Sequence, residues 1–390
     1  MTLNDLLKTG IMLVLISGPA LAQVPLPDYL GSEVGYTNAR TLAGGGATGL
    51  EAGPASLFGN PAMLAFARTS AVEVGYGLKL ASETRTRIVY DQFENSLGEV
   101  AIAENIHSSA IPGPLAGLYR SCRLAVGAGL AETRDFNYTY LKEYRDDFYI
   151  KTGEDRIEQS GGIYDAGLGA AYQLLDWLSV GARGSFRFGG RRLNEWQIRG
   201  ADTSLVADTG TMSGIGFGAG LAARPVGRLT VAADFASGAS YSGWSRIAWA
   251  TPPAYLGRYP WSARLGLSYR VPGSLPSTVS AEARFQAWKT VDSTFSNLLV
   301  VRAGVEHTML NFVSLRYGFG VEPQPFDPTI QRLNAAFGLG FNAVVVKIDV
   351  GMLFTHDLLG PMNFSAPLTE NDLKIYGDRS NFAVTISRSF

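Results

Sequence analysis

The ten residues NFAVTISRSF (381–390) decide the fold. Phe382, Val384, Ile386 and Phe390 fall on one face of an extended chain, while Asn381, Ala383, Thr385, Ser387 and Ser389 fall on the other. A period of two is the mark of a β-strand. The same alternation stands in PWSARLGLSYRV (260–271), where Trp261, Leu265, Leu267, Tyr269 and Val271 oppose Ser262, Arg264, Gly266, Ser268 and Arg270. It returns in TSAVEVGYGLKL, WLSVGARGSFRF, STVSAEARFQAW, NLLVVRAGVEH and NFVSLRYGFGV, each with one aliphatic or aromatic face and one of Gly, Ser, Arg or Glu.

Followed along the chain, the pattern predicts fourteen strands, at 70–83, 111–119, 123–137, 159–173, 177–190, 211–224, 228–240, 259–271, 277–290, 297–309, 312–322, 331–342, 344–356 and 373–390. Short connections (120–123, 174–176, 225–227, 272–276, 310–311) alternate with longer ones (138–158, 191–210, 241–258, 357–372). An even strand count, alternating loop lengths and one lipid-like face predict an all-β fold, a transmembrane antiparallel β-barrel with short periplasmic turns and long outer loops. A soluble sandwich also alternates, but its strands cluster near ~5–6 residues, whereas these pass the ~9–11 that a tilted membrane strand requires.

Composition agrees. Charged residues are only 17% of the chain and the net charge is −1, which leaves no basic surface for nucleic acid. With 20 Phe, 17 Tyr and 6 Trp the chain has too much apolar surface for disorder. The 46 glycines lack a collagen period and suit strands that bend or approach other backbone closely. At the amino end, Lys8, the apolar run IMLVLISG and Ala20-Leu21-Ala22 read as a signal peptide over 1–22, which would make Gln23 the first mature residue. No uncharged run approaches the ~20 residues of a membrane-spanning helix. The single Cys122 excludes an internal disulfide framework.

Residues 23–69 then have no place in a wall that begins near residue 70, and must hang below the barrel or fold into its lumen as a plug. In SLFGNPAMLA (56–65), Asn60 can cap a helix and Pro61 suits its first position, so a short helix with Met63, Leu64 and Phe66 buried is expected. PASLF, just upstream, suits a further turn. An Ala/Gly-rich stretch, an apolar pair and Asn-Pro-Ala ahead of a fourteen-strand barrel, here GGGATGLEAGPASLFGNPAMLAF, resembles the FadL/TodX outer-membrane transporters of hydrophobic compounds. Two features depart from that family: Gly59 where many relatives carry a larger residue, and somewhat shorter outer loops. The resemblance implies that 23–69 is a hatch, that Asn60, Pro61 and Ala62 form its motif, and that hydrophobic molecules enter from outside and leave sideways or past a rearranged hatch.

The inward faces carry mixed charges, including Glu73 and Lys79, Arg183 and Arg187, Arg264, Glu282 and Arg284, Arg302 and Glu306, Arg316, Lys347 and Asp349. Such charges should pair across the lumen and hold the barrel in shape. A wet general porin would instead keep a constriction of one sign. The loop 242–261 gathers Trp244, Ile247, Trp249, Tyr255 and Leu256, a candidate surface for a hydrophobic ligand, with Tyr259 and Trp261 assigned to the interfacial aromatic girdle. HDLLGPMNFSAPL (356–368) is similarly apolar and could cover the same mouth, and Arg246 or Arg258 could meet a carboxylate head group.

Other signals fall away. GGGATG (44–49) matches a dinucleotide fingerprint but has no strand before it and no βαβ unit around it, so it reads as a glycine turn. His107, His307 and His356 lack metal-ligand spacing, and a hydrolase built on Ser with His307 or His356 and Asp357 would lack a G-x-S-x-G elbow. No catalytic residue, metal or other cofactor is expected. The reading is a monomeric barrel in the outer membrane of a Gram-negative cell, inserted by the barrel-assembly machinery through a last strand ending in Phe390. It would pass long-chain fatty acids or aromatic hydrocarbons passively past its hatch. The alternative is a non-transporting scaffold or shuttle, like the PorV-type barrels of a protein secretion system.

Overall fold

The computed structural model describes residues 31–241, 257–310, 312–326, 328, 331–343, 345–357 and 373–390. Fourteen antiparallel wall strands follow one another in chain order: β1 (Ala71–Tyr90), β2 (Ser96–Ser121), β3 (Leu124–Asp135, resumed at Tyr138–Arg145), β4 (Lys151–Leu175), β5 (Leu178–Arg199), β6 (Asp202–Val226), β7 (Leu229–Ala236), β8 (Ser262–Val271), β9 (Ser277–Gln286), β10 (Leu298–Met309), β11 (Val313–Pro323), β12 (Gln331–Asn342), β13 (Val346–Asp357) and β14 (Leu373–Ser389). The ring closes where β14 pairs with β1, from Ser389 opposite Ala71 to Leu373 opposite Arg87. Closure leaves the first and last strands no free edge to template association.

The exposure pattern is inside out for a water-soluble protein. On β1, Val72, Val74, Tyr76, Leu78 and Leu80 are all at least 38% exposed, while Glu73 and Lys79 between them are 3% exposed. On β14, Val384 and Ile386 face out and Thr385 faces in. A chain that exposes its aliphatic face and buries its charges is built for a hydrocarbon surround. Four rings form a ladder on this outward face, Phe217 to Phe235 to Trp261 to Phe285, with centroids 6.0, 5.9 and 5.4 Å apart.

The wall is uneven in height. β2, β4 and β6 run 26, 25 and 25 residues, whereas β7 has 8 and β8 and β9 have 10 each. The predicted outer loops 138–158 and 191–210 are therefore corrected: they are largely strand, and β5 and β6 are joined by Gly200 and Ala201 alone. Beyond the membrane the inward face stays buried, as at Ile157 and Leu193, but the outward face meets water and turns polar, so the alternation fades from the sequence.

The inward charges do pair, but along the wall, between adjacent or next-but-one strands, rather than across the lumen. Arg316 on β11 meets Glu306 on β10 at 2.6 Å and Asp349 on β13 at 2.7 Å; Arg264 on β8 meets Asp234 on β7 at 2.8 Å; Arg187 on β5 meets Asp165 on β4 at 3.2 Å. The lumen is crossed by the hatch instead.

Candidate functional site

The hatch is a chain of short turns that use the wall as their partner. Its helix α1 (Ala39–Ala43), which the sequence did not announce, starts at Asn38, whose side chain accepts from the Thr41 N–H while Thr41 bonds back to the Asn38 N–H. The Asn38 amide also reaches Glu51 at 2.9 Å and Glu73 at 2.8 Å. Two 3₁₀ turns follow, Pro54–Leu57 and Pro61–Phe66, with Met63, Leu64 and Phe66 buried as expected.

Asn60 is fully buried. Its Oδ1 accepts from the Ala62 N–H at 2.9 Å, and its Nδ2 donates to the carbonyls of Leu221 on β6 and Ala233 on β7 at 3.3 and 3.2 Å. The Ala62 carbonyl in turn accepts from Ser179 on β5 at 3.0 Å. This fit needs bare backbone on the wall: a Cβ on Gly220 would lie 1.9 Å from Asn60 Oδ1, and one on Gly181 would lie 2.5 Å from the Ala62 nitrogen. Gly59 is explained in the same way, because a Cβ there would sit 2.4 Å from the Thr48 carbonyl oxygen.

Elsewhere the hatch is tied by charge. Arg40 forks onto Glu306 through two 3.1 Å bonds, Arg264 holds Thr48 and the Gly59 carbonyl, and the Gly49 N–H donates to Glu282 at 2.7 Å. Glu33 meets Arg284; burial would raise its pKa, but the Arg284 and Arg134 charges outweigh that and bring it down to about 2. Burial, with Glu132 and Asp135 nearby, pushes the Tyr36 hydroxyl well above the usual range.

Above the hatch the lumen turns apolar. Phe136, Ile163, Met212, Tyr259, Trp288 and Phe295 pack into one cluster, with Trp288 and Phe295 edge to face at 5.9 Å and the Arg134 guanidinium 3.8 Å over the Tyr259 ring. Beside it lies a cavity of about 1050 Å³, part of it open to solvent, where Ile111, Trp288, Leu298, Phe326 and Leu353 stand among charged groups that include Lys79, Arg134, Asp135, Arg302, Arg332 and Arg379. A second, more polar cavity of about 950 Å³ adjoins the hatch among Arg183, Arg187, Arg264 and Asp165.

The ligand surface read from the sequence falls mostly elsewhere. Trp244, Arg246, Ile247, Trp249, Tyr255 and Leu256 lie outside the described residues, as does most of 356–368. Tyr259 is corrected: it is 8% exposed inside the lumen, because the chain after β7 folds inward and Ala239–Ser240 pairs with Arg258–Tyr259. Trp261 alone joins the outward ladder. Phe136 and Phe295 escaped the sequence reading because each sits where alternation breaks, at the interruption of β3 and in the connection before β10. The three histidines stand apart; His307 bridges Ser277 at 2.7 Å and Tyr317 at 3.0 Å, while His356 and the Asp378 carboxylate, which meet at 2.5 Å, lie exposed on other strands.

The wall itself is incomplete beside the larger cavity. Pairing of β2 with β3 stops at Leu115 opposite Leu130. Past that point β3 turns inward, where Ser32–Glu33 of the hatch pairs with it and Phe136 enters the cluster. On the β2 side stand Pro112, Gly113 and Pro114, a bulge in which neither proline can donate to a ladder. Side chains bridge the seam: Asp135 takes Lys79 from β1 and the Ser109 hydroxyl from β2 at 3.1 Å, and higher up the Leu141 N–H donates to Asn105 at 2.7 Å.

A closed fourteen-strand barrel with lipid-facing aliphatic rows, a luminal hatch and an apolar chamber above it defines the class of plugged transmembrane β-barrels. Within that class the chain has the FadL/TodX-type fold. It superimposes on a Pseudomonas aeruginosa FadL homologue with a TM-score of 0.66 at 14% identity, covering 92% of this chain and 100% of that one. The Pseudomonas putida toluene transporter TodX gives 0.63 at 16% identity, covering 92% and 99%, and the Ralstonia pickettii toluene transporter TbuX gives 0.58 at 15%, covering 92% and 99%. No protein-family profile and no curated protein sequence matches this chain.

Proposed function

We propose that the protein is a passive outer-membrane channel of a Gram-negative cell for hydrophobic small molecules such as long-chain fatty acids or aromatic hydrocarbons. The observation that carries this reading is the apolar cluster around Phe136 and Trp288, with the cavity beside it lying against an unpaired stretch of wall. A ligand captured at the outer mouth descends between Trp288 and Phe136 and leaves sideways between β2 and β3, the hatch staying in place. The hatch makes a poor door, since hydrogen bonds at ~0.5–1.5 kcal/mol each tie it to many strands at once. The structural neighbours fit this reading: two are toluene transporters, and CymD, at 12% identity and a TM-score of 0.59, is a monoaromatic hydrocarbon channel. Phe390, 68% exposed at the end of β14, suits recognition by the assembly machinery of a monomeric barrel.

Native mass spectrometry of the purified barrel and uptake of labelled fatty acid and toluene by cells expressing it form the test. Saturable uptake of either supports the channel. An inserted barrel with no hydrophobic ligand and no uptake would instead favour the PorV-like scaffold. The Phe136→Ala variant should weaken ligand binding roughly tenfold, the loss that accompanies ~1–2 kcal/mol of apolar burial; an unchanged titration would remove the apolar cluster from the ligand's path.

A further inference from the structure

The chain as a whole balances 33 basic against 34 acidic residues, but its short-turn end does not. Arg68, Arg120, Arg224 and Arg270 gather at that mouth, and Arg123, Arg228 and Arg388 stand in or beside the turns around it. Asp176, 3.3 Å from Arg123, is the one acidic side chain among the described residues of the turns themselves. The Arg224 guanidinium lies 4.2 Å over the ring of Phe66, and Arg120 binds the Ala67 carbonyl and Gln173, so both point inside the mouth beneath the hatch. Arg68, Arg120 and Arg270 are close enough for their charges to act on Arg224. Arg270 shares the inward face of β8 with Arg264, and both Arg68 and Arg270 are exposed.

Like charges held together without counter-charges oppose folding and focus a positive potential into the opening they surround. Phospholipid head groups are poor candidates to meet this potential, because they lie outside the wall and Arg120, Arg224 and Arg270 turn inward, whereas Arg388 shares the outward face of Val384 and Ile386 on β14. All of these cations are arginine, whose planar fork matches carboxylates two bonds at a time.

We propose that the arginine-lined periplasmic mouth is a docking surface for an acidic segment of a soluble periplasmic protein. This goes beyond the channel reading and needs no cargo to pass through the mouth. The test uses the full protein in phosphatidylcholine nanodiscs and a fluorescent hexaglutamate peptide as probe, followed by anisotropy. Arg68→Gln/Arg228→Gln/Arg270→Gln is the variant, since none of the three ties the hatch to the wall among the described residues, and ligand uptake should stay at the wild-type level. Expected are salt-sensitive binding by the wild type and a loss of ~tenfold or more in the triple variant, as for charges that steer a partner. Equal binding by both proteins, or no binding at low salt, overturns the proposal. So does displacement of the bound peptide from phosphatidylcholine nanodiscs by a soluble short-chain phosphatidylglycerol at a concentration at which the same amount of chloride leaves it bound, which would assign the arginines to lipid.

Discussion

Replacing Gly220 with valine should unseat the hatch and turn a sealed barrel into a conducting one. The first added carbon would fall 1.9 Å from Asn60 Oδ1, and the two methyl groups beyond it have nowhere to go but into the turn at Pro61. Asn60 would lose its bonds to Ala62, Leu221 and Ala233, at ~0.5–1.5 kcal/mol each, and steric displacement adds to that, for a total on the order of 2–5 kcal/mol. Asn60→Ala should act in the same direction but more weakly, near the ~1 kcal/mol of a lost cap. Conductance across a planar bilayer reads the outcome directly. Long-lived openings in Gly220→Val, rarer ones in Asn60→Ala and quiet wild-type channels are expected; a Gly220→Val barrel as quiet as wild type would mean that the hatch is not held at this point.

Stapling the seam between β2 and β3 should stop transport altogether. Ser109 and Asp135 meet at 3.1 Å through their side chains, so the pair Ser109→Cys/Asp135→Cys, made with the exposed Cys122 changed to Ser, sets one thiol on each side of the seam. Under oxidising conditions uptake of the hydrophobic probe should fall to background, and reduction should restore it. Full bridging with undiminished uptake would send the ligand past the hatch instead, and the sideways route would be lost while the channel reading stood.

The parts of this molecule that touch lipid were the parts most legible in its sequence. All fourteen strands were found, and the ends that meet the short turns fell within two residues of their observed places. There one face must be apolar and the other must carry Arg302, Arg316 or Glu282, so chemistry writes the period into the chain. The opposite ends of β10 to β14 also fell within one residue, but those of the tall strands β1, β2, β4, β5 and β6 were missed: β5 continues through Arg191, Leu193 and Glu195 facing in, but its other face has returned to water and carries Arg192 and Asn194. α1 was missed because its five residues owe their helix to the Asn38–Thr41 box and to Gly338 and Gly351 beneath, neither of which lies in the segment's own propensity. Asn60 was legible because a cap followed by proline is a local device. Phe136 was not, because its role comes from a break in pairing with a distant strand.

The ties between the hatch and the last strands also order the molecule's birth. Residues 31–69 leave the ribosome before any of the wall, yet Ala39 must find Thr385 and Arg40 must find Glu306, some three hundred residues later in the chain. The first segment made is among the last to be seated, and the contacts that seat it are of the long-range kind that slows folding. Until β13 and β14 arrive, Ala39 and Leu42 of α1 lack Leu353 and Ala383, which cover them, and depend on whatever escorts the chain. Lesions such as Gly220→Val should then also appear before any channel exists, as fewer finished barrels rather than only leakier ones.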